Sequence, residues 1–292
     1  MKNIDTLMDI PVVLLHGWLH SGEIWGQVKA LDKKGLTFHS PDLPRFGNVP
    51  PPDEQEEPIV WLTIFVQRYL QGVFDLHGPC VVIADSLSGI IMLNLLTSDF
   101  LQDVSVTRKQ ESQSRLPGAH SEDLTFSSRT DQNAIRHLVL LGTPVDGLPA
   151  FVHRLRKTIP LKLLIDSFKV FPIGITQAMI RYGNHFTMHN RTVELGPLIS
   201  GLRQADSDFS VRLFDDLMSP YEPRKIQNPE NIPVTVSRGR HDKIVSAKSS
   251  RQLAHLLDAS YKEIPDSGHT PMLENPQALL SIIYDILESK KN

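Results

Sequence analysis

A single cysteine, Cys80, is all that the 292 residues contain, so an intramolecular disulfide and the small disulfide-stapled folds are excluded. A charge excess is also lacking. Thirty Lys and Arg against 33 Asp and Glu give a formal net charge of -3, which leaves neither a basic field for nucleic acid nor an acidic solvating tail. No uninterrupted apolar stretch reaches the roughly 18 to 20 residues a transmembrane helix needs. Asp5 and Asp9 interrupt the first residues, which do not read as a signal peptide, and a cytoplasmic protein is expected. The histidines show no paired spacing, so no metal is expected. No glycine-rich phosphate loop follows a candidate strand, and the expectation is a protein with no cofactor and no nucleic-acid partner. Internal repeats are absent too.

What is present is ordinary globular material, 40% hydrophobic and 22% charged, arranged in alternation. Continuous aliphatic runs at Pro11 to Leu15, Cys80 to Ala84, Ile135 to Leu141 and Ile232 to Ser237 read as buried strands, with shorter candidates at Leu36 to Ser40 and Ser260 to Ile264. Between them, Ile59 to Phe74, Ser86 to Leu96, Ala247 to Leu257 and Pro276 to Leu287 have helical spacing, the last with Asn275 placed to cap it. Strands alternating with helices imply a mostly parallel sheet covered on both faces. Two stretches break the alternation. Residues 102–133 are polar, with the composition of a solvent-exposed or disordered insertion. Residues 145–225 show helical periodicity without buried strands and form an expected helical lid over the carboxyl ends of the strands. Residues 1–144 and 226–292 make up the core.

Three residues follow three of these strands. Ser86, in Ala84-Asp85-Ser86-Leu87-Ser88-Gly89, sits between a strand and a helix with small residues two positions to either side, as a sharp nucleophile turn requires. Asp85 is a rival nucleophile, but shifting the register puts bulky Ile83 and Leu87 at those positions. Asp242 follows Arg238-Gly239-Arg240-His241, and His269 follows Pro265-Asp266-Ser267-Gly268. A serine hydroxyl needs a base to take its proton, and the imidazole needs a carboxylate to hold its tautomer. Asp146, after the Ile135 to Leu141 strand candidate, is an alternative acid. His16-Gly17-Trp18 ends the first strand, and the amides of Trp18 and Leu87 are candidates for an oxyanion-binding pair.

The pattern resembles the α/β-hydrolase superfamily, in particular its lid-bearing esterase, C–C hydrolase and haloperoxidase-like branch. Val12 to Gly17 resembles the oxyanion strand and loop, and Pro41-Asp42-Leu43-Pro44-Arg45-Phe46-Gly47 the D-x-P-G-x-G loop, with Arg45 where glycine is usual. Gly239 to Val245 matches the acid loop G-x-x-D-x-x-V, and Gly268 to Pro276 matches the histidine loop G-H-x-P-x-x-E-x-P. The resemblance implies an α/β-hydrolase fold with Ser86, Asp242 and His269 as a catalytic triad. About ten residues before the oxyanion strand leave little room for the two antiparallel strands usual there, so a shortened sheet edge is expected.

The expected activity is cofactor-free hydrolysis of a carboxylic ester or thioester of a small to medium apolar compound through an acyl-enzyme. Phe151, Leu164, Phe168, Phe171, Met179 and Phe186 are candidate pocket residues, or equally a core internal to the lid. The same triad serves C–C bond hydrolases and cofactor-free perhydrolases, and a hydrolase-fold ligand sensor is the competitor from another class. The first part of the lid is basic, through His153, Arg154, Arg156, Lys157, Lys162 and Lys169. That charge suits an anionic substrate or membrane surface, although a solvated helix face explains it at about two to one.

Overall fold

The computed structural model describes residues 10–46, 57–96, 134–183, 187–190, 192–221, 228 and 231–289. The polar insertion expected at 102–133, together with Phe186 and Gly47, lies outside them. Six strands form one parallel sheet: β1 (Val12–Leu15), β2 (Phe38–His39), β3 (Cys80–Asp85), β4 (Ile135–Leu141), β5 (Val234–Gly239) and β6 (Ser260–Ile264), in the order β2-β1-β3-β4-β5-β6. Among the described residues the sheet has its edges at β2 and β6, and residues 1–9, where the shortened edge was expected, lie outside them.

The two faces of the sheet follow from the period of two along a strand. Val13, Leu15, Val82, Ala84, Leu138 and Leu140 enter one apolar cluster. Val12, Leu14, Val81, Ile83, Val139 and Leu141 enter the other. Both sets are almost fully buried, which is why these strands read as unbroken aliphatic runs rather than alternating ones. Helices cover the faces: α1 (Gly26–Leu31), α2 (Pro58–His77) and α3 (Leu87–Leu96) in the first half. The sequence of α3, LSGIIMLNLL, is apolar nearly all round because the helix is packed inside the protein.

Among the described residues, five helices lie between β4 and β5: α4 (Ala150–Thr158), α5 (Leu161–Val170), α6 (Ile173–Gly183), α7 (Gly196–Gln204) and α8 (Ser207–Met218). Prolines 149 and 160 stand immediately before α4 and α5, where the missing N–H costs nothing, and Pro160 also keeps α4 from continuing. After β5 come α9 (Ala247–Leu256), the short α10 (Pro271–Glu274) and α11 (Pro276–Glu288). The Asn275 side chain accepts the Ala278 N–H at 3.1 Å, the cap its position suggested.

The strand order reverses direction between β1 and β3. In an open parallel sheet that reversal leaves a crevice at the carboxyl ends of the strands. His16-Gly17 and Ser86 flank it.

Candidate active site

Ser86 is the first residue beyond β3. Its φ of 49° lies in the left-handed region, an uncommon conformation for a residue with a side chain, and it lifts the hydroxyl off the sheet end. The turn is held from below: the Ser86 N–H donates to the Leu141 carbonyl at 2.7 Å, and the Gly89 N–H to the Ser86 carbonyl at 2.9 Å. Ser88, where a glycine would be usual, is fully buried, and its hydroxyl donates to the His16 carbonyl at 2.6 Å. The replacement thus ties α3 to the loop after β1 instead of blocking the turn. Gly89 has no such latitude, since a Cβ there would collide with the Thr143 side chain.

His269 Nε2 stands 3.1 Å from Ser86 Oγ, and its Nδ1 2.8 Å from Asp242 Oδ2. With the ring proton on Nδ1 donated to the carboxylate, Nε2 is left to accept the serine hydroxyl proton. The other Asp242 oxygen accepts the N–H groups of Ile244 and Val245 at 2.8 and 3.0 Å. Burial opposes charge on the His269 ring, but the Asp242 charge and hydrogen bond, helped by Asp85 and Glu274, outweigh it and raise the pKa to about 9. The ring lies over Gly142, where a Cβ would come within 3.2 Å of it. Asp146, the alternative acid, is exposed in the turn after β4, and Asp242 holds the position beside His269. Asp85, the rival nucleophile, is buried with His20 Nδ1 3.6 Å away, and His269 faces Ser86 instead.

The loop after β1 abuts the serine, because a Cβ on Gly17 would lie 3.3 Å from the Ser86 Cβ. Trp18 follows in that turn, and Leu87 is the first residue of α3, where a helix amide has no intrahelical acceptor. The loop is fixed by His16, whose Nε2 accepts the Leu43 N–H at 2.8 Å and whose Nδ1 bonds the Gly17 carbonyl at 2.9 Å. Complete burial lowers the His16 pKa to about 4, so the ring stays neutral and keeps that acceptor. The Trp18 side chain reaches the inserted helices, with its indole N–H 3.0 Å from the Ser210 carbonyl and its ring 4.6 Å from Phe214. Arg45 adopts φ 64° where its loop normally has glycine, and its guanidinium pairs with Asp206 at 2.6 Å, beside the start of α8.

Two residues hold the loops that carry His269 and Asp242. The buried Glu274 places Oε1 at 2.9 Å from the Gly268 N–H and 3.1 Å from the Thr270 hydroxyl, while Oε2 accepts the His189 and Asn190 N–H groups at 2.6 and 2.9 Å. One carboxylate therefore clasps the His269 loop to segment 187–190 of the insertion. The buried Arg238 donates to the carbonyls of Asp242 and Val245 at 2.8 and 3.0 Å and so shapes the acid loop. Glu274 was visible in the sequence as a letter of the histidine-loop pattern. Arg238 carried no signal beyond its nearness to Asp242.

The candidate pocket residues are placed less sharply. Phe168 is buried in the apolar cluster on one sheet face, Leu164 and Met179 pack against that cluster, and Phe151 is half-buried in α4. Phe171 is exposed.

Comparison with known proteins places the chain in a family. The profile of the alpha/beta hydrolase family matches residues 12–282. A pimeloyl-[acyl-carrier protein] methyl ester esterase from Aeromonas hydrophila is 26% identical over 280 residues, covering 93% of each chain. An enzyme of the same name from Aromatoleum aromaticum is 22% identical, covering 94% of this chain and 97% of its own. Among solved structures, a thermophilic esterase from Thermogutta terrifontis superimposes with a TM-score of 0.56 at 17% identity, over 96% of this chain and 90% of its own.

Proposed function

The chain belongs to the alpha/beta hydrolase family, and from that premise we propose that it hydrolyses carboxylic esters with Ser86 as nucleophile. The observation that carries this is the line of contacts from Asp242 to His269 to Ser86, 2.8 and 3.1 Å long, at the reversal point of the sheet.

In this reading Ser86 Oγ attacks the ester carbonyl carbon while its proton passes to His269 Nε2. The carbonyl oxygen, now an anion, is held by the Trp18 and Leu87 amides, with the N-terminus of α3 favouring the charge. Collapse breaks the C–O bond, and the alcohol leaves with the proton from His269. Water then attacks the acyl-enzyme, gives its proton to His269, and releases the carboxylic acid and free Ser86. Asp242 orients the imidazole and stabilises its charged form without taking the proton itself.

Residues 1–144 and 226–292 serve as the catalytic core, and 145–225 as a lid. The substrate is a small molecule with an apolar acyl group, contacted by the lid through residues such as Phe151, Leu164, Phe168 and Met179. The curated relatives are named for a methyl ester of an acyl chain, which supports a small alcohol as leaving group. The test is turnover of short-chain methyl and p-nitrophenyl esters by wild type and Ser86→Ala. Hydrolysis that disappears in the variant is expected. Cleavage of a vinylogous diketone without ester turnover would replace the reading by C–C hydrolysis, and no turnover of either would remove the enzyme.

A further inference from the structure

Three side chains from three distant parts of the sequence meet on the exposed side of the triad loops. His189 comes from the segment between α6 and α7, His241 from the loop after β5, and Asp266 from the turn after β6. One nitrogen or oxygen of each lies within 4.8 Å of those of the other two. The imidazoles of His189 and His241 stack with centroids 3.8 Å apart and planes 14° from parallel. Among the described residues, none of the three side chains has a hydrogen-bond or ion-pair partner. Nothing in the proposed hydrolysis uses them.

Their backbones are nevertheless held. The His189 N–H is bound by Glu274 at 2.6 Å, and the His241 N–H by the Ser267 carbonyl at 2.9 Å. Asp266 sits at φ 50° in the turn between them and His269. Gly268 lets the segments close up, since a Cβ there would meet the Thr187 carbonyl oxygen at 2.4 Å. Hydrogen-bonded loops thus present two imidazoles and a carboxylate to one point, while the side chains, all exposed, keep the freedom to adjust.

We propose that His189, His241 and Asp266 bind a divalent transition-metal ion of the zinc type. Two imidazole nitrogens with one carboxylate favour zinc, nickel or copper over magnesium and calcium, which prefer oxygen donors. Bonds of about 2.0 to 2.2 Å around a tetrahedral ion bring donor atoms to roughly 3.4 Å from one another. Small rotations of exposed side chains, which also end the ring stacking, close the remaining gap. The fourth position is left to water. The ion joins segment 187–190 of the insertion to the loops bearing Asp242 and His269, so it stabilises the folded protein by binding it in preference to the unfolded chain.

The test is calorimetric titration and thermal unfolding of purified protein with zinc chloride, with nickel chloride as a second ion and magnesium chloride as the control. Wild type should take up one zinc per chain saturably and melt several degrees higher, with no response to magnesium. His189→Ala and His241→Ala, each first shown to melt like metal-free wild type, should lose at least tenfold in zinc affinity, and Asp266→Asn less. Ser86→Ala should bind zinc as wild type does, which separates this site from the catalytic reading. Absence of saturable binding to wild type, or wild-type affinity retained in both histidine variants, would overturn the proposal.

Discussion

The loops carrying Asp242 and His269 and the outer helices of the insertion, α4 to α6, are built on opposite terms. In the loops the polar groups are buried and bonded: Arg238, Asp242 and Glu274 are each under a tenth exposed, yet together they engage carbonyls and amides on every side. In the outer helices one face is buried through Ile165, Phe168 and Ile180, but other apolar groups are exposed, with Leu163, Val170 and Tyr182 at 66, 76 and 85%. Their charges are paired on the surface, as in Arg156 with Asp215 and Lys162 with Asp208. The contrast teaches where precision is needed. The proton relay proposed for these loops tolerates little displacement and needs desolvated, over-determined supports, whereas the lid proposed for the insertion has only to stay attached.

The loop half of the comparison should break most severely at Asp242. Asp242→Asn keeps the shape but removes the charge that holds the His269 tautomer, and kcat should fall on the order of 10⁴-fold. A loss under tenfold would mean that the carboxylate does not act on His269. Next is Glu274→Ala, which strands the buried amides that the carboxylate now satisfies. Urea unfolding should show a loss of about 3 kcal/mol, with Glu274→Gln recovering part of it. An unchanged midpoint in the alanine variant would show that the clasp is dispensable.

A third effect is read in pH. The base must be neutral to accept the serine proton, and its pKa is raised to about 9. Activity should therefore climb as pH rises from 7 toward that value, by up to roughly tenfold per unit, and level off above it. In Asp242→Asn the residual activity should level off at a lower pH, because the main raising influence is gone. A wild-type profile already flat at pH 6 would contradict the assignment. The smallest effects belong to the outer helices: Leu163→Ser and Val170→Ser should change unfolding free energy by no more than about 0.5 kcal/mol. A loss several times larger would show that these side chains are covered in solution, and the contrast would fade.

The same contrast explains what the sequence disclosed. Strands buried on both faces must be aliphatic throughout, so β1, β3, β4 and β5 stood out, and the loops after β5 and β6 carried enough fixed letters to single out Asp242 and His269. Ser86 was recognisable because its turn admits only small neighbours, of which Ser88 proved also to donate a bond to His16. The insertion was legible only as helical in general. Its helices are short and border on prolines, and their periodicity does not say which face meets which partner. Phe168 illustrates the difficulty, since a phenylalanine of the cluster and one of a pocket look alike until the packing is seen. Contacts across long separations left no local trace at all, as with Trp18 and Ser210, Arg45 and Asp206, or the meeting of His189, His241 and Asp266. The expectation of no metal rested on spacing along the chain, which is blind to loops that meet only in the fold.

The most direct test of the central claim is fluorophosphonate labelling of the purified protein, with the modified peptide mapped by mass spectrometry. A single adduct on Ser86 is expected, formed by wild type, lost in Ser86→Ala and strongly slowed in His269→Ala. Labelling at another residue, or none in folded wild type, would contradict it.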